Sequence, residues 1–400
     1  MSSYGASYRS VRLAPQRGPL GRALGKSSPL RRLDWIMVLS ALALSLGSSL
    51  LVWSATRARD NLTHGDPQYF LWRHLTNLAI GLALFVVVVV LGTRRLRTAV
   101  PVVYLVVMVM LVATLSPLGS TINGQHSWIQ FGGGFSLQPA EFAKLAIVLG
   151  MAVILSARVD AGEREFPTDR SVIQSLVVAT VPMALIMLMP DAGSVMVMGV
   201  IVLGILLASG AANRWVFGLM GAGVLGAVAI WKLGVLSKYQ IDRFAAFANP
   251  ALDPAGVGYN TNQARIAIGS GGLTGAGLFN GHQTSGQFVP EQQTDFVFSV
   301  AGEELGFVGA AALIALLGVI LWRACAIARQ ATDLYGTVLA AGVVTWFAFQ
   351  AFENIGMNLG IMPVAGIPLP FVSYGGSSMF AVWIAVGLLQ SVRSQRPIGI

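Results

Sequence analysis

The chain has 400 residues, 55% of them hydrophobic and only 11% charged, against about 25% charged in soluble domains, so a soluble globular protein is excluded. A single cysteine, Cys325, excludes a disulfide framework and a cysteine-based metal site. The net charge of +9, from 26 basic and 17 acidic residues, reads as topology signals on a polytopic membrane protein and not as a patch for nucleic acid.

Residues 1–33 hold Arg9, Arg12, Arg17, Arg22, Lys26, Arg31 and Arg32, no acid, and many Ser, Gly and Pro. Such a segment cannot bury a core, and a disordered basic cytoplasmic tail is expected. The apolar run that follows is long enough to span and lacks a clean small-residue cleavage site, so it reads as a first span and not as a signal peptide. Spans are expected near 34–55, 73–92, 98–116, 139–156, 172–189, 192–209, 213–233, 295–322, 334–358 and 375–392. The expected fold is therefore an all-α integral membrane protein: ten transmembrane helices over 34–392, then a short cytoplasmic tail, 393–400.

Basic residues test that count. With the first tail in the cytoplasm, cytoplasmic segments collect Arg94, Arg95, Arg97, Arg158, Arg164, Arg170, Arg214, Arg323, Arg329, Arg393 and Arg396. The outer segments 117–138, 190–191 and 359–374 contain no Lys or Arg. The positive-inside rule then places both termini in the cytoplasm. One connection differs from the rest: 234–294, a large extracytoplasmic loop between helices 7 and 8, whose apolar stretches are too short to span. Loops of that length are functional or disordered, and its mixed apolar content argues for packing on the membrane domain.

Ionisable groups in an apolar layer are functional hypotheses by default. On this topology Glu141, Asp191, Asp295 and Glu353 come from four separate spans and all fall in the outer half, which suggests an outward-facing polar cavity. Each also has a structural reading. Glu141 and Lys144 stand three apart and can pair on one helix face. Asp191, after Pro190, can cap the sixth helix. Asp295 follows Thr294 at a helix start, where Thr294 would be the cap and Asp295 a first-turn partner of the dipole. Glu303 and Glu304 lie about 12–14 Å further along at 1.5 Å per residue, with Glu304 nearly opposite Asp295, and a structural pairing or a neutral form suits at least one of them.

Other features carry less. GSGGLTGAG at 269–277 resembles a phosphate-cradling loop, but no strand precedes it, and its glycines suit tight turns or close backbone approach. The four histidines have no metal-ligand spacing, and no Ser-His-Asp or Cys-His arrangement is present. Trp128 reads equally as an interfacial aromatic and as a site residue.

Four long stretches, NGQHSWIQFGGGFSLQPAEFAKL at 123–145, NQARIAIGSGGLTGAGL at 262–278, FVPEQQTDFVFSVAGEELGFVG at 288–309 and NIGMNLGIMPVAGIPLPFVSYGGSS at 354–378, resemble the SEDS family of bacterial shape, elongation, division and sporulation proteins. PEQQTDF and MPVAGIPLPF are similar to its elongation branch more than to its division branch. The resemblance covers about 34–392 and implies a peptidoglycan glycosyltransferase in the bacterial cytoplasmic membrane. Such an enzyme polymerises lipid II into glycan strands on the extracytoplasmic side. It implies that Asp295 is the essential outer aspartate, and that Trp128, Glu141, Lys144, Asp191 and Gln263 contact substrate. It further implies a class B penicillin-binding protein, a transpeptidase, as partner, beside lipid II, the nascent strand and membrane lipids. No cofactor is certain; a divalent cation, Mg or Mn, is compatible with the acidic cavity.

On that reading Asp295 takes a proton from the acceptor hydroxyl as general base, and undecaprenyl pyrophosphate leaves with inversion. Lys144 is the expected cation for the pyrophosphate, with Arg265 or a divalent ion in reserve. Lys144→Ala is then expected to impair turnover more than folding. The rival classes are a lipid II flippase, another membrane transporter, and a scaffold. Alternating access usually brings repeated halves, and none is visible.

Overall fold

The computed structural model describes residues 32–395 apart from 64, 123–124, 132–134, 233 and 235–256. The expected basic tail up to Arg31, the end of the C-terminal tail from 396, and 235–256 of the long connection lie outside the described residues. The chain is mainly helical: α1 (Trp35–Thr56), α2 (Tyr69–Leu115), α3 (Pro139–Asp160), α4 (Asp169–Met187), α5 (Ala192–Ala208), α6 (Asn213–Lys232), α7 (Val257–Ser270), α8 (Val297–Arg329), α9 (Leu334–Leu359) and α10 (Gly376–Ser394). Among the described residues six helices, α1, α2, α3, α4, α8 and α9, are long and apolar enough to cross a membrane.

Two of the remaining helices fall short for local reasons. α5 is apolar but has only 17 residues. α10 is enclosed along most of its length, with Trp383, Ala385, Val386 and Leu389 shut away from the surface. A helix with no lipid-facing stripe can carry Ser377, Ser378, Gln390 and Ser391 on its buried sides, which dilutes its hydropathy.

α2 is one helix where two spans, 73–92 and 98–116, were expected. Its 47 residues make about 70 Å at 1.5 Å per residue, more than twice the roughly 30 Å hydrocarbon layer. The helix breaks at Gly92, where φ is 70° and ψ 160°, a region open to glycine alone. Arg94, Arg95 and Arg97 follow the break at once. The expected loop has thus contracted to one glycine between two helical limbs.

Three helices meet at the end of the bundle that carries both described termini. The Asp34 side chain caps α1 by accepting from Met37 N, 3.3 Å away, and also accepts from Arg323 of α8, at 2.8 Å, and from Arg393 of α10. Its own N–H donates to Gln390 Oε1 at 2.7 Å. A buried carboxylate needs such partners, and here they tie the first, eighth and tenth helices together.

The all-α expectation needs one correction. At the opposite end, β1 (Gly119–Ile122), β2 (Gln125–Phe131) and β3 (Phe135–Leu137) form an antiparallel sheet in the order β1-β2-β3. Ile122 faces Gln125 and Ser120 faces Trp128, with the register slipping between Ser120 and Thr121. The dipeptide Asn123-Gly124 between the paired ends is the strongest two-residue hairpin signal.

α8 is also broken. At Gly306 φ is 65° and ψ −165°. An unbroken helix would bond Phe307 N to Glu303 O and Val308 N to Glu304 O. Instead the glycine-rich loop inserts. Phe307 N and Val308 N donate to Gly272 O and Leu273 O at 2.9 and 3.1 Å, while Ala276 N and Gly277 N donate to Glu303 O and Glu304 O at 2.9 and 3.0 Å. All four freed groups are satisfied, as an apolar layer demands. The amides of 276–277 are therefore committed to α8 and do not cradle phosphate.

Candidate active site

Two of the expected groups, the Lys144–Glu141 pair and the Asp295 segment, are joined through α9. Lys144 Nζ lies 2.7 Å from Glu141 Oε1 and 2.8 Å from Gln350 Oε1, and 5.0 Å from the Trp346 ring centre. Lys144 is 1% exposed and Glu141 2%. The i, i+3 spacing read from the sequence thus makes a real ion pair, and the pair is shut inside the protein. Trp346 Nε1 completes the cluster by donating to Gln350 Oε1 at 2.6 Å.

For Lys144 this geometry predicts a cost in folding beside the expected cost in turnover. Removing one partner of a buried pair leaves the other uncompensated, at a cost of about 3–5 kcal/mol. Lys144→Met should therefore lower the thermal midpoint of the detergent-solubilised protein markedly. Lys144→Met combined with Glu141→Leu should recover much of that loss, because no lone charge remains. A double variant as unstable as the sum of the singles would show that the pair itself carries little coupling.

Asp191 does cap α5: its carboxylate accepts from Ser194 N at 3.0 Å and Ser194 Oγ at 2.7 Å. Gln138, just before α3, donates its N–H to Ser377 Oγ of α10 at 2.8 Å and approaches Asp191 with Nε2 at 3.5 Å. Trp128 stands half-buried on β2. Gln263 is on α7, half-buried, where the adjacent Ala264 and Ala267 pack with Val289 and Phe296 beside the Asp295 segment. Glu353 of α9 is completely buried, and neither of its carboxylate oxygens has a hydrogen-bond partner.

Asp295 is not in the first turn of a helix. α8 begins at Val297, and the residue at its cap, Phe296, makes no side-chain cap bond. Thr294 Oγ1 turns back to Glu291, meeting its carbonyl at 3.2 Å and its carboxylate at 3.1 Å. The segment is held through its main chain. Glu291 O accepts from Thr294 N, Asp295 N and Phe296 N. Gln293 O accepts from Tyr374 N at 2.9 Å, and Thr294 O from Ser373 Oγ at 2.5 Å. Asp295 O accepts from both Asn354 Nδ2, at 2.9 Å, and Asn358 Nδ2, at 3.1 Å. Three consecutive carbonyls are thereby tied to α9 and to the segment before α10, while Asp295 itself stays half-buried.

Glu303 and Glu304 have structural partners. The Glu303 carboxylate accepts from Gln283 N, Thr284 N and Thr284 Oγ1 at 2.7–2.9 Å, capping the single helical turn His282–Ser285 in trans. Glu304 accepts from Ser54 Oγ of α1 at 2.5 Å. They do not pair with each other.

Two arginines at this end were missed. Arg59 is buried and donates to Val289 O at 3.0 Å and Gln293 Oε1 at 3.4 Å. Arg73 lies over the Tyr69 ring at 4.6 Å and is hydrogen-bonded to the Tyr374 hydroxyl, whose pKa burial raises. Nothing in local spacing marks either arginine, since both act on segments more than 200 residues away. A divalent cation was compatible with the acidic cavity; among the described residues no group of three or more His, Cys, Asp or Glu side chains able to hold a metal forms.

Comparison with known proteins gives a consistent result. The family model FTSW_RODA_SPOVE, described as cell cycle protein, matches residues 32–397. A probable peptidoglycan glycosyltransferase FtsW of Thioalkalivibrio sp. is 38% identical, over 90% of this chain and 90% of its own. The stage V sporulation protein E of Bacillus subtilis is 35% identical over 92% and 97%, and the peptidoglycan glycosyltransferase MrdB of Escherichia coli 34% over 91% and 94%. Among solved structures, a chain of a peptidoglycan synthase complex superposes with a TM-score of 0.74 at 29% identity, covering 90% of this chain and 97% of that one. Thermus thermophilus RodA superposes with 0.64 at 28%, covering 90% and 96%. With its apolar helices, its pinned aspartate and a family match along nearly its whole length, this chain is a multi-pass membrane protein of the FtsW/RodA/SpoVE family, the SEDS proteins.

Proposed function

We propose that this chain is a peptidoglycan glycosyltransferase that polymerises lipid II at the outer face of the bacterial cytoplasmic membrane, with Asp295 as general base. The observation that carries the reading is the Asp295 segment: a half-buried carboxylate on a backbone tied down at three successive carbonyls, in a family whose relatives are named for this activity. The acceptor 4-hydroxyl of one sugar attacks the anomeric carbon of the lipid-linked donor, Asp295 takes the hydroxyl proton, and the C1–O bond to undecaprenyl pyrophosphate breaks on the opposite face. The leaving group is already acidic, so no second carboxylate is required as proton donor, unlike in glycoside hydrolysis.

Cationic stabilisation of the pyrophosphate passes from Lys144, enclosed by Glu141 and Gln350, to Arg73, which is half-exposed and linked through Tyr374 to the Asp295 segment. The test is polymerisation of labelled lipid II by purified protein with its class B penicillin-binding partner, comparing wild type, Asp295→Asn and Arg73→Met. Arg73→Met of normal stability and normal turnover would remove Arg73 from the mechanism. The flippase reading gains little from the break at Gly306, because the glycine loop stitches it shut and no half-helix end is left to face a cavity.

The reading includes ten spans, with α2 contributing two, both termini cytoplasmic and the sheet end outside. It also includes a role in elongation, supported by the PEQQTDF and MPVAGIPLPF stretches and tested by complementation of elongation-defective against division-defective cells. Topology is checked with single cysteines in a Cys325→Ser background. A membrane-impermeant maleimide should label intact cells at Gln287→Cys and not at Arg164→Cys. The reverse pattern would invert the orientation.

A further inference from the structure

Gln350, Asn354 and Asn358 stand at i, i+4 and i+8 on one face of α9, each completely buried. Gln350 joins the Lys144–Glu141 pair to Pro368 O, which its Nε2 reaches at 2.7 Å. Asn354 joins Ile367 O, at 2.8 Å, to Asp295 O. Asn358 makes a more particular arrangement. Its Nδ2 donates to Asp295 O at 3.1 Å while its Oδ1 accepts from Ser299 N at 3.1 Å. Asp295 O and Ser299 N are the two groups that an α-helix extended backwards by one residue would bond to each other, i to i−4. One carboxamide therefore stands between them and satisfies both.

From this geometry we propose that Asn358 is a positioning residue for Asp295: it replaces the helical 295–299 hydrogen bond, stops α8 at Val297, and so holds the Asp295 carboxylate in its reactive direction. Ser299 N bonds to Phe296 O at 3.0 Å as well, so the helix start stays tight without drawing Asp295 in. Absent the wedge, Asp295 O and Ser299 N close on each other, Phe296 joins the first turn and Asp295 becomes the helix cap. Each residue of helix turns by about 100°, so the carboxylate swings off its line of attack. The cost falls on orientation, because neither backbone group loses its last partner: Asp295 O keeps Asn354 Nδ2 and Ser299 N keeps Phe296 O.

The inference rests on the glycosyltransferase reading. It is tested with full-length Asn358→Leu, which keeps the approximate size, and Asn358→Ala, which avoids overpacking. Each is assayed with the penicillin-binding partner on labelled lipid II beside wild type and Asp295→Asn. The expected result is a fall in kcat of about 10- to 100-fold, the scale of a misplacement near 1 Å. KM should stay within about threefold of wild type and the thermal midpoint should be unchanged or higher. A folded variant with wild-type kcat overturns the proposal, and so does a kcat loss that merely follows a lowered midpoint in both variants. If Asp295→Asn polymerises as wild type does, the general-base reading itself falls; Asn358 variants with normal kcat beside an inactive Asp295→Asn sink only the wedge.

Discussion

Asp295→Asn should abolish glycan polymerisation while leaving the folded protein intact. A positioned general base contributes about 10²–10⁴-fold, and the amide keeps the size of the carboxylate but cannot take the proton. The fold should survive because the amide matches the carboxylate in size and the main-chain bonds of the segment remain: Glu291 O to the amides of 294–296, and Tyr374, Ser373, Asn354 and Asn358 to the carbonyls of 293–295. Activity and thermal midpoint therefore separate. Equal glycan from both proteins would make Asp295 a residue of the helix approach and nothing more. No glycan from either, in the presence of the transpeptidase, would move the weight to the flippase reading.

Gly306→Ala is the opposite case, a loss of fold at a residue that need never touch substrate. A φ of 65° with ψ near −165° costs a non-glycine residue about 1–3 kcal/mol. A Cβ at Gly306 would also lie 2.3 Å from Gly275 N and 2.7 Å from Leu273 O. These are backbone atoms, so they cannot rotate away, and overpacking adds about 1–3 kcal/mol more. Together the terms reach roughly 2–6 kcal/mol, a large part of the 5–15 kcal/mol that holds a typical soluble domain. Gly306→Ala should express poorly or melt well below wild type in detergent. Gly318→Ala, on the same helix with open space around its Cβ position, is the control and should be close to neutral. An unshifted midpoint in Gly306→Ala would mean that the loop of 271–277 can leave α8 without penalty.

Asp191 and the Lys144–Glu141 pair show what local spacing makes legible. A carboxylate after a proline before an apolar run reads as a cap, and opposite charges three apart in a helix read as a pair; both are short-range consequences of helix geometry and both are present. The close-approach reading of GSGGLTGAG was legible on the same footing, although its partner, the break at Gly306, was not. Thr294 shows the limit. Its hydroxyl could equally cap the next helix or turn back to Glu291, and the choice depends on where that helix is stopped. The Asn358 carboxamide, 63 residues from Asp295 and 59 from Ser299, bonds to Asp295 O and Ser299 N at that stop. The sheet over 119–137 was missed for another reason: the Asn123-Gly124 signal was local and readable, but a strong apolar background of helical spans hid it.

Composition, apolar run length and the asymmetry of basic residues determined by themselves that this is a multi-pass helical membrane protein. Each of those quantities is summed along the chain and needs no partner. The long motifs likewise sufficed for the family. Tertiary structure alone decided which partners the buried groups find away from their own helix. Lys144 meets Gln350, Glu303 the turn at 283–284, and Glu304 Ser54, while the carbonyl of Asp295 is tied to Asn354 and Asn358. A buried charge or carbonyl must find a partner wherever in the chain one is available. That requirement acts through space, over 206 residues for Lys144 and Gln350 and 250 for Ser54 and Glu304, where no spacing in the sequence records it.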